Sequence, residues 1–117
     1  PAGLDLMIGM CRDATFGPLL LFGTGGSYVE IYKDIERIVL PATEEEIREI
    51  ILRTHAGEII HGVRGQSPLA LGKLIEFLIW MTKWVEAETR LVSLDFNPVR
   101  LYVDSLVVLD AKAELLP

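Results

Sequence analysis

Asp95, Asn97 and Asp110 are the side chains whose types and spacing point most directly to chemistry. In Ser93-Leu94-Asp95-Phe96-Asn97-Pro98-Val99, polar Asp95 and Asn97 alternate with apolar Leu94 and Phe96, the period-2 pattern of a half-buried strand. Val108-Leu109-Asp110-Ala111-Lys112 reads as a second strand, with Val107 and Leu109 alternating with Val108 and Asp110. Asp104-Ser105 between them is turn chemistry, so the simplest arrangement is a hairpin. A loop centred on residues 104 and 105 sets Asn97 opposite Lys112 and Val99 opposite Asp110, with Asp95, Asn97 and Asp110 on one face. Asn97 and Asp110 are then diagonal neighbours, their α-carbons about 7–8 Å apart and their side chains within reach of a common ion. Magnesium carrying a nucleotide's phosphates asks a protein for such a spot, with one or two carboxylates. Parity decides the matter, because a slip of one residue sends Asp110 to the other face.

The elements that must hold this hairpin come from a chain of 117 residues, long enough for one domain, with 50% hydrophobic content to fill a core. Its net charge of −6 argues against a nucleic-acid or anionic-membrane surface, which reward Lys and Arg. Cys11 is the single cysteine, which excludes an internal disulfide and a Cys-based zinc site; it reads as a small, buried apolar residue. No apolar run approaches the roughly 20 residues that span a bilayer, and the N-terminus lacks a basic-then-apolar signal pattern. These features fit a cytoplasmic protein.

Leu4, Leu6, Ile8 and Met10 alternate as a first strand. Its start without a polar lead-in suggests a piece of something larger. Arg12-Asp13-Ala14-Thr15 is a turn, and Phe16 to Phe22 a nearly all-apolar strand in which Pro18 implies an edge position or a strand start. After Gly23-Thr24-Gly25-Gly26, an extended segment runs from Ser27 to Leu40, bent at Lys33-Asp34, with Ile35, Arg37 and Val39 resuming the alternation. Thr43 and Glu46 form a capping box, and Glu44 and Glu45 suit the positive end of the helix dipole, so the acidic triplet is helix-start chemistry rather than a metal site. Ile47, Ile50 and Ile51 form the buried stripe of that helix, and Gly57 is its expected stop. Glu58 to Val63 reads as a short strand, and Ser67-Pro68 as the opening of a second helix. There Leu71, Leu74, Ile75, Leu78, Met81 and Val85 make one apolar stripe, with Phe77, Trp80 and Trp84 beside it. So broad a face predicts burial on two sides, against the sheet and against another domain or subunit. The order β-β-β-α-β-α-β-β predicts an α+β domain spanning residues 1–117: a largely antiparallel sheet with two helices packed on one face.

Phe16-Gly17-Pro18, Phe22-Gly23-Thr24-Gly25-Gly26, Val29-Glu30 with Lys33-Asp34, Gly62-Val63-Arg64-Gly65, Asp95-Phe96-Asn97-Pro98 and Val108-Leu109-Asp110-Ala111 occur in this order. In order and spacing they resemble the ADP-forming acyl-CoA synthetases, relatives of succinyl-CoA synthetase. The similar region is the later lobe of the ATP-grasp domain in the beta part, and it runs from about Leu4 to Leu115. The resemblance implies interconversion of acyl-CoA, ADP and phosphate with acid, CoA and ATP, through an acyl phosphate and a travelling phosphohistidine. It implies that Asn97 and Asp110 hold the nucleotide's Mg2+, and that Asp95 meets the phosphohistidine. Relatives often have Glu at the position of Asp95. They also more often have Glu at the position of Asp5, and a more apolar pair in place of Ser27-Tyr28. The earlier lobe, with its lysine contacts and adenine pocket, has no counterpart here, nor do the CoA-binding and ligase domains. The chain thus resembles half of one site, and those domains of the same enzyme are its implied partners.

Other candidates are open to two readings each. Gly25 and Gly26 suit either a phosphate cradle or a tight strand–strand turn; no helix follows, so neither a P-loop nor a dinucleotide fingerprint applies. Glu30 either lines the nucleotide cleft or sits on the surface, and Arg64 either meets an anion or is solvated. His55, near a helix C-terminus, is structural. His61 falls where the family has no phosphorylated histidine. Two further functions stand beside the synthetase: a regulatory ATP-grasp-like module of a protein lysine acetyltransferase, and a non-catalytic interaction domain forming a homo-oligomer through the Trp80/Trp84 face.

Overall fold

A computed structural model of the chain describes residues 3–25, 34–62, 65 and 67–117. Six strands are seen: β1 Leu4–Asp13, β2 Gly17–Thr24, β3 Ile35–Val39, β4 Leu91–Leu101, β5 Leu106–Val108 and β6 Ala111–Leu115. Three helices separate β3 from β4: α1 Glu44–Arg53, α2 His55–His61 and α3 Leu71–Ala87. The strands form one antiparallel sheet in the order β3-β2-β1-β4-β5, with β6 also alongside β4.

The register divides the residues between two faces. Leu6, Ile8 and Met10 of β1 stand in line with Leu20 and Phe22 of β2 and with Leu94, Phe96 and Val99 of β4. These join Ile47, Ile50 and Ile51 of α1, Ile60 of α2, and Leu74, Leu78 and Met81 of α3 in a single buried cluster. Each such side chain contributes about 1.5–3 kcal/mol when fully buried. The stripes expected on α1 and α3 are buried, except that Leu71, at the start of α3, is half-buried. Phe77, Trp80 and Trp84 lie beside them, with Phe77 edge-on to Phe96 at 5.3 Å between ring centroids and Trp80 half exposed. Arg12 fixes the far end of α3: its Nε donates to the Leu91 carbonyl at 2.6 Å, and Nη2 reaches the Val85 and Glu88 carbonyls.

Four expectations are corrected. Residues 58–61 of the expected strand are helical, in α2, and the described residues therefore form three helices rather than two. Two side chains cap the start of α2 by accepting three of its N–H groups. The Thr54 hydroxyl accepts the Gly57 N–H, and the Asp34 carboxylate accepts the N–H groups of His55 and Ala56. Gly57 is consequently not a stop. It is buried inside α2, where a β-carbon would collide with the Ile51 carbonyl of α1, and α1 ends instead at Thr54. His55 accordingly opens α2 rather than trailing α1. Ser67-Pro68 does not open α3, which begins at Leu71 with Ala70 at its cap. The N–H groups of Leu69 and Ala70 are drawn to the carbonyls of Ile60 and Tyr102, and this holds the chain extended up to the helix. Pro18 sits at a strand start, as one of its two readings required, since β2 lies inside the sheet. Of the segment expected from Ser27 to Leu40, residues 27–33 lie outside the described residues.

Candidate functional site

The hairpin exists, but its register differs from the expected one by two residues. Asp95 stands opposite Lys112, Phe96 opposite Ala111, and Val99 opposite Val108. Continuing that count sets Asn97 opposite Asp110, and the Asn97 N–H does donate to the Asp110 carbonyl at 3.1 Å. The expected partnerships of Asn97 with Lys112 and of Val99 with Asp110 are thus replaced. An even shift keeps Asp95, Asn97 and Asp110 on their expected face and turns a diagonal pair into a direct one, with β-carbons about 4.5–5.5 Å apart, whereas Val99, expected on that same face, is buried in the core.

An irregularity at Asn97-Pro98 underlies the change. On the β1 side, Leu6 pairs with Val99 and Ile8 with Phe96, so Asn97 and Pro98 together face Met7. This is a bulge, the setting in which an interior strand tolerates a proline. Leu109 and Asp110, between β5 and β6, match it from the other side, and the Leu109 N–H donates to the Pro98 carbonyl at 3.0 Å. Phe96 and Val99 can therefore both point into the core, while the two residues between them carry Asn97 to the helix-free face. Bulges re-aim side chains in this way next to functional sites.

The helix-free face thus carries Asp95 and Lys112 in one row and Asn97 and Asp110 in the next. Asp95, Asp110 and Lys112 are exposed and Asn97 is half-buried. Beyond the bulge comes Arg100, cross-strand from Asp5. Its Nε donates to Asp5 Oδ1 at 2.7 Å and its Nη2 to Oδ2 at 3.2 Å. The bond to Asp5, and a lesser one to Tyr102, push the Arg100 pKa above its ordinary value. That guanidinium is committed to the frame of the site.

Asp5 also anchors the glycine turn, since its carbonyl accepts the Gly25 N–H at 2.9 Å. Gly25 is buried, and a β-carbon there would run into the Leu6 carbonyl. Close approach to β1 explains this glycine, and its N–H is already used. On the other side of the turn, Thr24 donates its hydroxyl to Asp34 Oδ2 at 2.7 Å and its N–H to the Asp34 carbonyl. Asp34 thereby ties the turn to the start of α2. Sequence reasoning read Asp34 only as a bend; its nearness to a run of polar residues gave no sign of partners 21 and 22 positions away.

Gly26, Glu30 and Arg64, the other nucleotide-binding candidates, lie outside the described residues. His61 is exposed at the last position of α2 rather than within a strand, and Cys11 is half-buried on the helix-free side of β1.

Mg2+ suits the Asn97–Asp110 pair: an amide and a carboxylate in direct opposition offer two hard oxygen donors. Among the described residues no three His, Cys, Asp or Glu side chains converge to hold a metal. A cation here would therefore need ligands from elsewhere, as Mg2+ does when it rides on phosphates. No helix is long and apolar enough to cross a membrane among the described residues.

A family model described as an ATP-grasp domain matches residues 1–115. The beta subunit of acetate–CoA ligase (ADP-forming) I from Pyrococcus furiosus is 35% identical over 112 residues, covering 96% of this chain and 48% of that subunit. Acetate–CoA ligase (ADP-forming) I from Archaeoglobus fulgidus is 33% identical over 113 residues, covering 97% of this chain and 16% of that protein. Among solved structures, acetyl-coenzyme A synthetase 1 of Ca. Korarchaeum cryptofilum matches with a TM-score of 0.91 and 32% identity, over 99% of this chain and 55% of that one. That structure is a complex with coenzyme A and Mg-AMPPCP, its phosphohistidine segment pointing towards the nucleotide binding site. The chain spans about half the length of the separate beta subunit and a smaller part of the fused ligase. These relatives are acid–CoA ligases, which favours the synthetase reading over the acetyltransferase one.

Proposed function

Because the chain belongs to the ATP-grasp domain family, we propose that it is the Mg-nucleotide lobe of an ADP-forming acyl-CoA synthetase. The full enzyme would interconvert acyl-CoA, ADP and phosphate with acid, CoA and ATP. The direct opposition of Asn97 and Asp110 on the helix-free face carries this reading. It sits within a fold whose solved relatives include a complex with Mg-AMPPCP.

In this reading Asn97 and Asp110 hold Mg2+ bound to the nucleotide's phosphates; when bound, the ion offsets phosphate charge. Asp95 lies next on the same face and is placed to accept the ring N–H of an incoming histidine. Such a bond fixes the imidazole tautomer, leaving the other nitrogen to carry the phosphoryl group. Gly25 contributes shape by letting the turn lie against β1, while Gly26, Glu30 and Arg64 are assigned to the nucleotide by the family resemblance alone. The other ATP-grasp lobe and the CoA-binding and ligase domains supply the rest of the enzyme, including the histidine and the site for coenzyme A as substrate. The acyl group remains open to assay; acetate is the first substrate to try, given the relatives' names.

The protein that carries this chain should form ATP from acetyl-CoA, ADP and phosphate, with a histidine phosphorylated in passing. Absence of both ATP formation and the phosphohistidine with any short acyl-CoA refutes the proposal. The 117-residue chain alone should bind Mg-ATP weakly, because half of the cleft is missing; submicromolar affinity by calorimetry would contradict the half-site reading.

A further inference from the structure

The two-residue change of register moves Lys112 from Asn97 to Asp95. Asp95 and Asp110 place two carboxylates on one small patch, to which the reaction proposed above brings phosphates and a phosphoryl group. Like charges so close repel, and a divalent cation between Asn97 and Asp110 offsets only part of the total. A second positive charge is required where the phosphoryl group arrives, beside Asp95.

Arg100 is not that charge, because Asp5 holds it through two bonds. Lys112 forms no ion pair among the described residues, is exposed, and lies on the same face as Asp95, Asn97 and Asp110. It is directly across from Asp95 and one pleat repeat, about 7 Å, along the strand from Asp110. Its four-carbon stem lets the ammonium swing between Asp95 and a phosphate held near Asp110.

We propose that Lys112 is a phosphate-binding residue of this site, contacting the terminal phosphate of the nucleotide and the phosphoryl group in transit past Asp95. This rests on the synthetase reading and extends it to a residue outside the metal pair. Bound there, the ammonium stabilises charge that develops on the transferred oxygens, as fixed cations do in phosphoryl transfer. It also screens Asp95 from the approaching phosphate.

The test uses the full protein that carries this chain and compares Lys112→Met, Lys112→Arg and Asp110→Asn. Loss of one hydrogen bond to a charged group predicts that kcat/KM for Mg-ATP falls about tenfold or more in Lys112→Met. Lys112→Arg should restore it to within about threefold, and KM for the acid substrate should stay within about twofold in both. Unfolding should not change, since Lys112 is exposed and holds no carboxylate among the described residues. If Lys112→Met keeps kcat/KM within about twofold while Asp110→Asn is inactive, the role of Lys112 is overturned and the metal pair stands. If both variants are active, the site reading falls and Lys112 falls with it.

Discussion

Replacing Asp34 by Ala tests whether the glycine turn is held in place by α2. The carboxylate accepts three hydrogen bonds, from the Thr24 hydroxyl at 2.7 Å, the His55 N–H at 2.8 Å and the Ala56 N–H at 3.1 Å. Losing its bonds to the first turn of α2 resembles losing an N-cap, which costs about 1 kcal/mol. Thr24 is buried, so its orphaned hydroxyl adds about 1–3 kcal/mol. His55 is exposed and water can replace its lost partner, which keeps the sum near the lower half of the range. The expected loss is about 2–3 kcal/mol, a large share of a typical domain's 5–15 kcal/mol. Urea unfolding of the chain measures it as a lower midpoint at unchanged slope. Asp34→Asn keeps one acceptor oxygen and should lose about half as much. Thr24→Val should be costly in the parent and nearly free in Asp34→Ala, because the two share one bond. A loss below about 0.5 kcal/mol for Asp34→Ala, the size of an ordinary surface change, would refute the clamp.

Gly57→Ala sets two effects against each other. Helix propensity favours Ala by about 1 kcal/mol, whereas the β-carbon would collide with the Ile51 carbonyl; we expect net destabilisation in urea, and a gain would show that α1 and α2 are farther apart than described. Glu88 is held below its ordinary carboxylate range by the Arg90 side chain and then by the Arg90 N–H. A depressed carboxylate stabilises the fold above its unfolded pKa and loses that contribution as pH falls through the lowered value. Carboxyl NMR titration should show the Glu88 pKa rising part of the way back in Arg90→Met, and no movement would remove the side chain as the principal cause.

Much of this architecture was legible because it is local or periodic. Thr43 and Glu46 make the capping box that their spacing announces, and the apolar stripe of α3 follows the helical period. The face carrying Asp95, Asn97 and Asp110 was also legible, since side-chain direction repeats every two residues and a two-residue error conserves it. The register itself was not legible, because the bulge at Asn97-Pro98 and its match at Leu109-Asp110 take up residues that a regular hairpin would pair. Ile59-Ile60 is too short an apolar run to separate helix from strand, and what decides for helix is Asp34, a capping group far away in sequence. The start of α3 depends likewise on carbonyls of Ile60 and Tyr102.

If Asn97 and Asp110 together hold the nucleotide's metal, metal affinity should depend on both the nucleotide and Asp110. Mn2+ serves as a magnetic substitute, and its binding to the full protein with and without ADP can be followed by electron paramagnetic resonance. Loss of a group that only supports a ligand costs about 10–100-fold in metal affinity, and loss of the ligand itself should cost at least that. ADP should tighten Mn2+ binding in the parent, and Asp110→Asn should lose this tightening while unfolding as the parent does. Full ADP-dependent Mn2+ affinity in Asp110→Asn would rule out the metal pair.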